Sequence, residues 1–421
     1  MSIQSEMPPA AEERVDIKSY ALVTAAYWGF TLTDGALRML VLLYFYQLGY
    51  SPLEVALLFV LYEFFGIVTN LIGGWIGSRL GLKITLWSGL ATQILALTML
   101  ALLPAAWPQW AAIAYVMASQ SLSGIAKDLT KMSSKSAIKM VVPPNASGAL
   151  FKWVAILTGS KNALKGAGFF LGGALLAWIG FRASLVAMAA GLALVLAAAV
   201  LSLPRGMGKA GKKVKFTRIF SKSRDINLLS AARLFLFGSR DIWFVVGLPV
   251  FLSASLGWSH AEVGGFLALW VIGYGGVQSL APNLLRRGLA GGTPQGGTAS
   301  IGAFILAALT VLIALGVHAG LSPWLTVVAG LALFGIVFAV NSSVHSYLIL
   351  TYSENDQVAL NVGFYYMANA MGRLVGTLLS GLVFQIAGLT GCLWVSAAFV
   401  LMAGGVSLLL PRGERPAGAT A

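Results

Sequence analysis

Charge is scarce in this chain. Only 10% of its 421 residues are Asp, Glu, Lys or Arg, against 58% that are hydrophobic, and the mean hydropathy is +0.84. A soluble protein carries roughly a quarter of its residues as charges, so this sequence has too little polar side chain to cover a surface in water. That excludes a soluble enzyme and a disordered tail protein, and it leaves lipid as the solvent. Cysteine is scarcer still. Cys392 stands alone, which excludes an intramolecular disulfide scaffold and a thiolate metal centre. The three histidines lack metal-ligand spacing, and no HExxH or GxSxG pattern falls at membrane depth. The expectation is therefore no metal, no other cofactor and no enzyme. A sizeable exterior domain of the kind a receptor carries is also missing. Acidic residues number 14 against 28 basic ones, for a formal net charge of +14. In a polytopic membrane protein that excess marks cytoplasmic loops, so the expected partner is the lipid bilayer and no nucleic acid.

What the chain has in abundance is long apolar runs and 49 glycines, and small residues let membrane helices approach closely. Stretches able to cross ~30 Å of hydrocarbon fall at 20–48, 52–78, 84–106, 110–130, 149–178 and 183–203, then at 226–252, 260–285, 298–318, 322–350, 358–386 and 388–410. The sequence thus predicts an all-α membrane protein of 12 transmembrane helices, arranged as two six-helix bundles around a central cavity. Its parts would be a cytoplasmic N-terminal tail (1–19), an N-terminal bundle (20–203), a basic cytoplasmic linker (204–225), a C-terminal bundle (226–410) and a cytoplasmic tail (411–421). With the N-terminus inside, one face collects Arg14, Lys18, Arg79, Lys83, Lys127, Lys131, Lys135, Lys139, Lys152, the cations from Arg205 to Arg224, Arg286, Arg287, Arg412 and Arg415. The other face has only Arg182. This asymmetry places both termini in the cytoplasm and the protein in the cell inner (plasma) membrane.

The two halves resemble each other at an offset of 208. Leu48-Gly49-Tyr50-Ser51 with Glu54-Val55 returns as Leu256-Gly257-Trp258-Ser259 with Glu262-Val263, and Lys165, Gly168, Gly173 and Gly180 fall on Arg373, Gly376, Gly381 and Gly388. Parallel six-helix repeats joined by a long linker resemble the major facilitator architecture. The run Gly74-Trp-Ile-Gly77-Ser78-Arg79-Leu80-Gly81-Leu82-Lys83 resembles that superfamily's signature loop between spans two and three. Gly74, Arg79, Gly81 and Lys83 match as gating-loop residues, while Ser78 stands where the pattern has Asp and Leu82 where it has a cation. Gly168-Phe-Phe-Leu-Gly172-Gly173 resembles the glycine motif of antiporters, with Phe169 in place of its proline.

A cation at bilayer depth costs ~2.5–3.5 kcal/mol on insertion scales, so it must face protein or water. Six are placed there: Arg38, Lys161, Lys165, Arg233, Arg240 and Arg373; the anions are Asp34, Glu63 and Asp241. The excess of three positive charges suits an anionic substrate and repels lipophilic cations. Arg38 and Arg240 sit at equivalent depths on spans one and seven, as paired arginines do in organophosphate-transporting members of the superfamily. Guanidinium forks onto phosphate and stays charged. Lys161, Lys165 and Arg373 would complete the substrate-binding field. Asp34 and Arg38, four apart on one helical face, also suit an internal ion pair, whereas the adjacent Arg240 and Asp241 point about 100° apart. Glu63 reads either as a protonatable coupling residue or as the partner of a lysine. His345, beside Asn341, Ser342 and Ser343, is a second protonation candidate or a hydrogen-bonded structural histidine. Arg233 either serves the site or snorkels from the end of span seven.

Longer strings carry a narrower resemblance. Tyr27-Trp-Gly-Phe-Thr-Leu-Thr-Asp-Gly-Ala-Leu-Arg38, Ser123-Gly-Ile-Ala-Lys-Asp-Leu-Thr-Lys-Met-Ser-Ser-Lys-Ser136, Lys152-Trp-Val-Ala-Ile-Leu-Thr-Gly-Ser-Lys-Asn-Ala-Leu-Lys-Gly166, Ser230-Ala-Ala-Arg-Leu-Phe-Leu-Phe-Gly238 and Phe266-Leu-Ala-Leu-Trp-Val-Ile-Gly-Tyr-Gly275 resemble the ArsJ-type organoarsenical efflux permeases. That resemblance implies export of 1-arseno-3-phosphoglycerate, functional pairing with the glyceraldehyde-3-phosphate dehydrogenase that makes it from arsenate, and arsenate resistance. It supplies no binding residues, so the site candidates rest on charge and depth. The alternative of the same fold is an organophosphate or other organic-anion antiporter. The lone Cys392 argues against direct capture of trivalent arsenic, which prefers several thiolates.

Reporter fusions at Gly208 and Gly292 are expected to behave as cytoplasmic, and one near Trp107 as exterior. A reversal of any of the three would overturn the orientation.

Overall fold

In the computed structural model the described residues are 17–104, 106–137, 147–203, 223–288, 294–353 and 358–411. Every regular element among them is a helix. Hydrocarbon offers backbone amides and carbonyls no partner, so a spanning segment must satisfy them internally. The elements are α1 (Ile17–Gln47), α2 (Pro52–Leu57), α3 (Val60–Ala101), α4 (Gln109–Ala137), α5 (Ser147–Ser202) and α6 (Arg224–Phe244). They continue as α7 (Gly247–Ala254), α8 (His260–Gly288), α9 (Gly296–His318), a π-helical turn (Trp324–Ala329) leading into α10 (Gly330–Thr351), and α11 (Val358–Ser407).

Among the described residues, eight helices are long and apolar enough to cross a membrane. Two of them, Gly159–Ser202 and Asn361–Ser407, are bent at Gly180 (φ 74°) and Gly388 (φ 61°), and each counts as two. The more polar α1 and α4 complete twelve segments. The apolar stretches Pro52–Ile72 and Leu82–Ala101 run in opposite directions past α4. Tyr62 lies against Gly124 and Thr69 bonds Asp128, whereas Thr85 bonds Ser133 and Ser123 bonds Gln93. Leu201 (86% exposed) and Leu194 (74%) present the kind of surface that lipid covers.

The 208-residue repeat is visible in the backbone. Gly49 (φ 89°) and Gly257 (φ 69°) turn the chain in the left-handed region at matching places, as Gly180 and Gly388 do. Only glycine enters that region without steric cost. After each of the first pair comes the same reciprocal cap. Ser51 N–H donates to Glu54 Oε2 at 2.8 Å and Glu54 N–H to Ser51 Oγ at 3.3 Å; Ser259 and Glu262 repeat this at 2.7 and 3.3 Å. Serine followed three residues later by glutamate satisfies two amides that a helix start leaves bare.

Glycines also set how near the helices come. A Cβ on Gly168 of α5 would stand 2.5 Å from the Leu32 carbonyl of α1, and one on its repeat mate Gly376 of α11 would stand 2.7 Å from the Gly238 carbonyl of α6. Each close crossing carries a cation one turn away, Lys165 in one half and Arg373 in the other.

Two boundaries differ from expectation. Span four was expected to end near 130, but α4 runs on to Ala137. Cations there signalled a loop edge, yet they stay helical because they face a polar interior. Span seven breaks between α6 and α7, where the amides of Val246 and Gly247 donate to Ser380 Oγ at 3.1 and 3.0 Å. A hydroxyl from α11 takes the place of lost intrahelical partners. The signature-loop residues Gly74, Arg79 and Gly81 fall within α3, and their surroundings lie outside the described residues, as do the tails and residues 204–222 of the linker. Lys83 is described: its Nζ donates to the Leu203 carbonyl at 2.7 Å and lies 4.5 Å from the centre of the Trp87 ring.

Gly168→Ala is expected to destabilise the protein by ~1–3 kcal/mol through overpacking. Gly191→Ala, at a position with nothing within 4 Å of the new methyl, should be close to neutral. Thermal unfolding of the two variants in detergent checks the difference.

Candidate functional site

Two cavities lie between the halves, joined by shared walls. The larger, about 120 Å³, is lined on the N-terminal side by Asp34 of α1, Asn70 of α3, Lys127, Asp128 and Lys131 of α4, and Lys161 and Lys165 of α5. Tyr366, Asn369 and Arg373 of α11 close it from the C-terminal side. The smaller, about 30 Å³, is lined by Arg38, Lys165, Arg240, Asp241 and Arg373 over an apolar floor that includes Phe169 and Phe244. Lys165 and Arg373 face both cavities.

The charges form a connected line. Glu63, fully buried, accepts from Arg38 Nη2 at 3.1 Å and from Arg373 Nη2 at 2.5 Å, both on Oε1. Arg373 Nε reaches Asp241 Oδ2 at 3.3 Å, and Asp241 Oδ1 receives Nε and Nη2 of Arg240 at 2.7 and 2.5 Å. Arg38–Glu63–Arg373–Asp241–Arg240 therefore crosses from one half to the other. Phe59 and Tyr62 lie beneath the Arg38 guanidinium at 5.1 and 5.4 Å, and Phe237 lies 4.9 Å from that of Arg240. Aromatic faces offset part of the cost of a desolvated cation.

Several expectations change here. Asp34 and Arg38 do not pair. The longer Arg38 side chain reaches Glu63, and Asp34 instead accepts from Tyr62 Oη at 2.8 and 3.0 Å. Both partners come from α3, which single-helix spacing cannot reveal. Arg240 and Asp241 do pair, because the flexible guanidinium curls back along its own helix past the 100° between the two Cβ directions. Glu63 takes arginines and no lysine. Arg233 does not snorkel: it is 4% exposed, donates to Asn369 Oδ1 at 3.0 Å and to Ser342 O and Oγ at 3.1 and 3.0 Å, and lies on the Phe237 ring. His345 is fully buried in the C-terminal half, with neither ring nitrogen hydrogen-bonded among the described residues, and it lines neither cavity.

Three cavity residues had been missed or set aside. Lys127 and Lys131 were counted with the cytoplasmic charges, and Asp128 was not singled out. Asp128 is fully buried and accepts from Lys131 Nζ at 2.8 Å, Thr69 Oγ1 at 2.7 Å and Asn70 Nδ2 at 3.3 Å. Lys127 Nζ sits 4.0 Å from the centre of the Tyr62 ring, above Gly66, whose missing side chain leaves it room. The spacing Lys127-Asp128…Lys131 within a membrane-length helix was the available signal. Tyr27 and Tyr366 line the larger cavity, whereas Trp243 is core, packed edge-on to Phe334 at 5.1 Å.

Among the described residues, the site and its bridging acid hold seven cations (Arg38, Lys127, Lys131, Lys161, Lys165, Arg240, Arg373) and four carboxylates (Asp34, Glu63, Asp128, Asp241). The excess is three positive charges, held where solvent screens them less than at the protein surface.

Removing one member of a buried pair strands the other. Glu63→Gln and Arg373→Gln are each expected to lower stability. The double variant should recover part of the sum, with a coupling of about 1–3 kcal/mol, read from thermal or denaturant unfolding in detergent.

Comparison with known proteins agrees with this architecture. Residues 23–320 match a family profile described as Major Facilitator Superfamily. Two solved structures share the fold. One is a POT family transporter in complex with 5-aminolevulinic acid, with TM-score 0.71, 14% identity, 93% of this chain and 96% of that chain covered. The other is a POT family transporter in complex with a thioalcohol conjugated peptide, with TM-score 0.69, 15% identity and the same coverages. Among curated proteins none matches this chain. With a profile match over most of its length, twelve helical segments in two repeated halves and a polar cavity between them, the chain belongs to the Major Facilitator Superfamily.

Proposed function

We propose that this transporter is an efflux carrier for a small, multiply anionic organoarsenical, 1-arseno-3-phosphoglycerate, working by alternating access and conferring arsenate resistance. Its functional partner would be a glyceraldehyde-3-phosphate dehydrogenase that forms the cargo from arsenate and glyceraldehyde 3-phosphate. The observation that carries the reading is the excess of cations over carboxylates in the cavities between the halves. A cargo bearing a phosphate, an acyl arsenate and no cationic group complements that excess. A zwitterion such as a peptide does not, although the two solved relatives were captured with 5-aminolevulinic acid and a peptide conjugate. The resemblance of the long sequence strings to the ArsJ-type permeases supports the choice of cargo within the anion class.

Arg38 and Arg240 face the smaller cavity from opposite halves, and each keeps guanidinium N–H groups beyond those spent on Glu63 and Asp241. They would clamp an oxyanion by charge-assisted, bidentate contact, within the field of Lys161, Lys165 and Arg373. Rocking of the bundles 20–203 and 226–410 would expose the site alternately. Export would run outward from the cytoplasm, across an inner membrane in which both termini face the cytoplasm. The same constellation fits an organophosphate antiporter, and cargo choice separates the two.

The test uses everted membrane vesicles supplied with the dehydrogenase, NAD, glyceraldehyde 3-phosphate and arsenate. Arsenic should accumulate only with the complete system. Accumulation of organophosphate without arsenate, and no arsenic, would overturn the cargo in favour of the antiporter.

Arg240→Lys keeps the charge but loses the fork. It is expected to cut transport by ~10-fold or more, equivalent to one charge-assisted hydrogen bond of ~1.5–3 kcal/mol, at unchanged membrane abundance. Full transport across substrate concentrations would reject Arg240 as half of the clamp.

A further inference from the structure

Of the four carboxylates at the site, three are held within their own half. Asp34 is held by Tyr62, Asp128 by Lys131, Thr69 and Asn70, and Asp241 most closely by Arg240. Glu63 differs. It lies on α3 of the N-terminal half, and its shortest contact, 2.5 Å, is to Arg373 on α11 of the C-terminal half. Among the described residues it is the one acid that binds a cation of each half through a single oxygen, since Arg38 reaches the same Oε1 at 3.1 Å. Its other oxygen, Oε2, is buried without a partner.

The position matters as much as the pairing. Arg38, Arg240 and Arg373 are 11–16% exposed and line the small cavity, while Glu63 is fully buried and lines neither cavity. The carboxylate therefore neutralises Arg38 and Arg373 from behind, and their remaining N–H groups face the space an incoming oxyanion would enter. Glu63 and that oxyanion compete for the same two cations without competing for the same space.

We propose that Glu63 is a built-in counter-anion that stands in for the cargo when the carrier is empty. Carrying Arg38 and Arg373 through the occluded midplane with no anion between them is unfavourable, because a charge at that depth needs a partner. An anion carrier without an internal substitute can reorient only when loaded, which makes it an obligate exchanger. Here Glu63 lets the empty form return, so the protein performs net release. Loading then weakens the Glu63–Arg373 contact by competition, freeing the two halves to move apart.

This inference rests on the anion reading, and its test separates the two. Purified protein is reconstituted in liposomes loaded with labelled 3-phosphoglycerate, a stable phosphate-bearing probe. Release is measured into buffer alone, as net efflux, and into buffer containing unlabelled 3-phosphoglycerate, as exchange. The wild type is expected to do both. Glu63→Gln should retain exchange and slow net efflux by about tenfold or more. It should also bind the probe about tenfold more tightly, since a competing negative charge is gone. A structural role alone would not raise affinity while lowering net flux. Glu63→Asp, which keeps the charge, should retain net efflux.

Where Glu63→Gln folds poorly, Glu63→Asp carries the test, since it keeps both the carboxylate and the clamp arginines. Its ratio of net efflux to exchange should match the wild type, and loss of net efflux with exchange kept would overturn the proposal. Equal net efflux and exchange in Glu63→Gln, or weaker binding by it, would overturn the counter-anion role while leaving the anion reading intact. A wild type that neither binds nor moves the probe would overturn the anion reading, and the inference with it.

Discussion

The contact between Glu63 and Arg373 joins the halves where charge is most expensive to hold. A buried carboxylate and guanidinium each lose several kcal/mol of hydration, recovered only with close geometry and enough partners. The surrounding structure supplies both. Gly372 and Gly376 bring α11 against α6, which seats Arg373 between Glu63 and Asp241. Tyr62, one residue from Glu63, engages Asp34 and so leaves Arg38 to Glu63. Aromatic faces under Arg38 and Arg240 take the place of water.

Much of the scaffold was legible because it is local and repeated. Left-handed glycines and serine–glutamate caps act within four residues of themselves, so an offset of 208 in the sequence becomes an offset of 208 in the backbone. Depth was legible too. Arg38, Lys165, Arg240 and Arg373 sit in the middle of apolar runs, and the fold brings all four to one small cavity.

Pairing was not legible. Which acid meets which base depends on rotations between helices that no single-helix pattern encodes. Asp34 was read with Arg38 from the shared face of α1, yet each finds its partner on α3. Lys127 and Lys131 were read as loop charges because cations near a span's end normally mark the water boundary. A cavity lined by polar and charged side chains inside the bundle looks the same in a hydropathy profile as the boundary with water. The surroundings of Gly74, Arg79 and Gly81 lie outside the described residues, so the signature loop remains a sequence observation.

Lys165 and Arg373 occupy the same position in the two copies of the repeat, and each borders both cavities. Parallel repeats of this kind are related by a pseudo-two-fold axis along the membrane normal, which passes between such a pair. Rocking of the halves in the proposed function would pivot about a line in the membrane plane near that crossing point, changing which helix ends are apart while moving residues beside the pivot least. In the proposed function, an anion passing from the larger cavity to the smaller one would stay between the Lys165 and Arg373 side chains throughout. On such a path, no step would require it to shed one cationic partner before gaining the next.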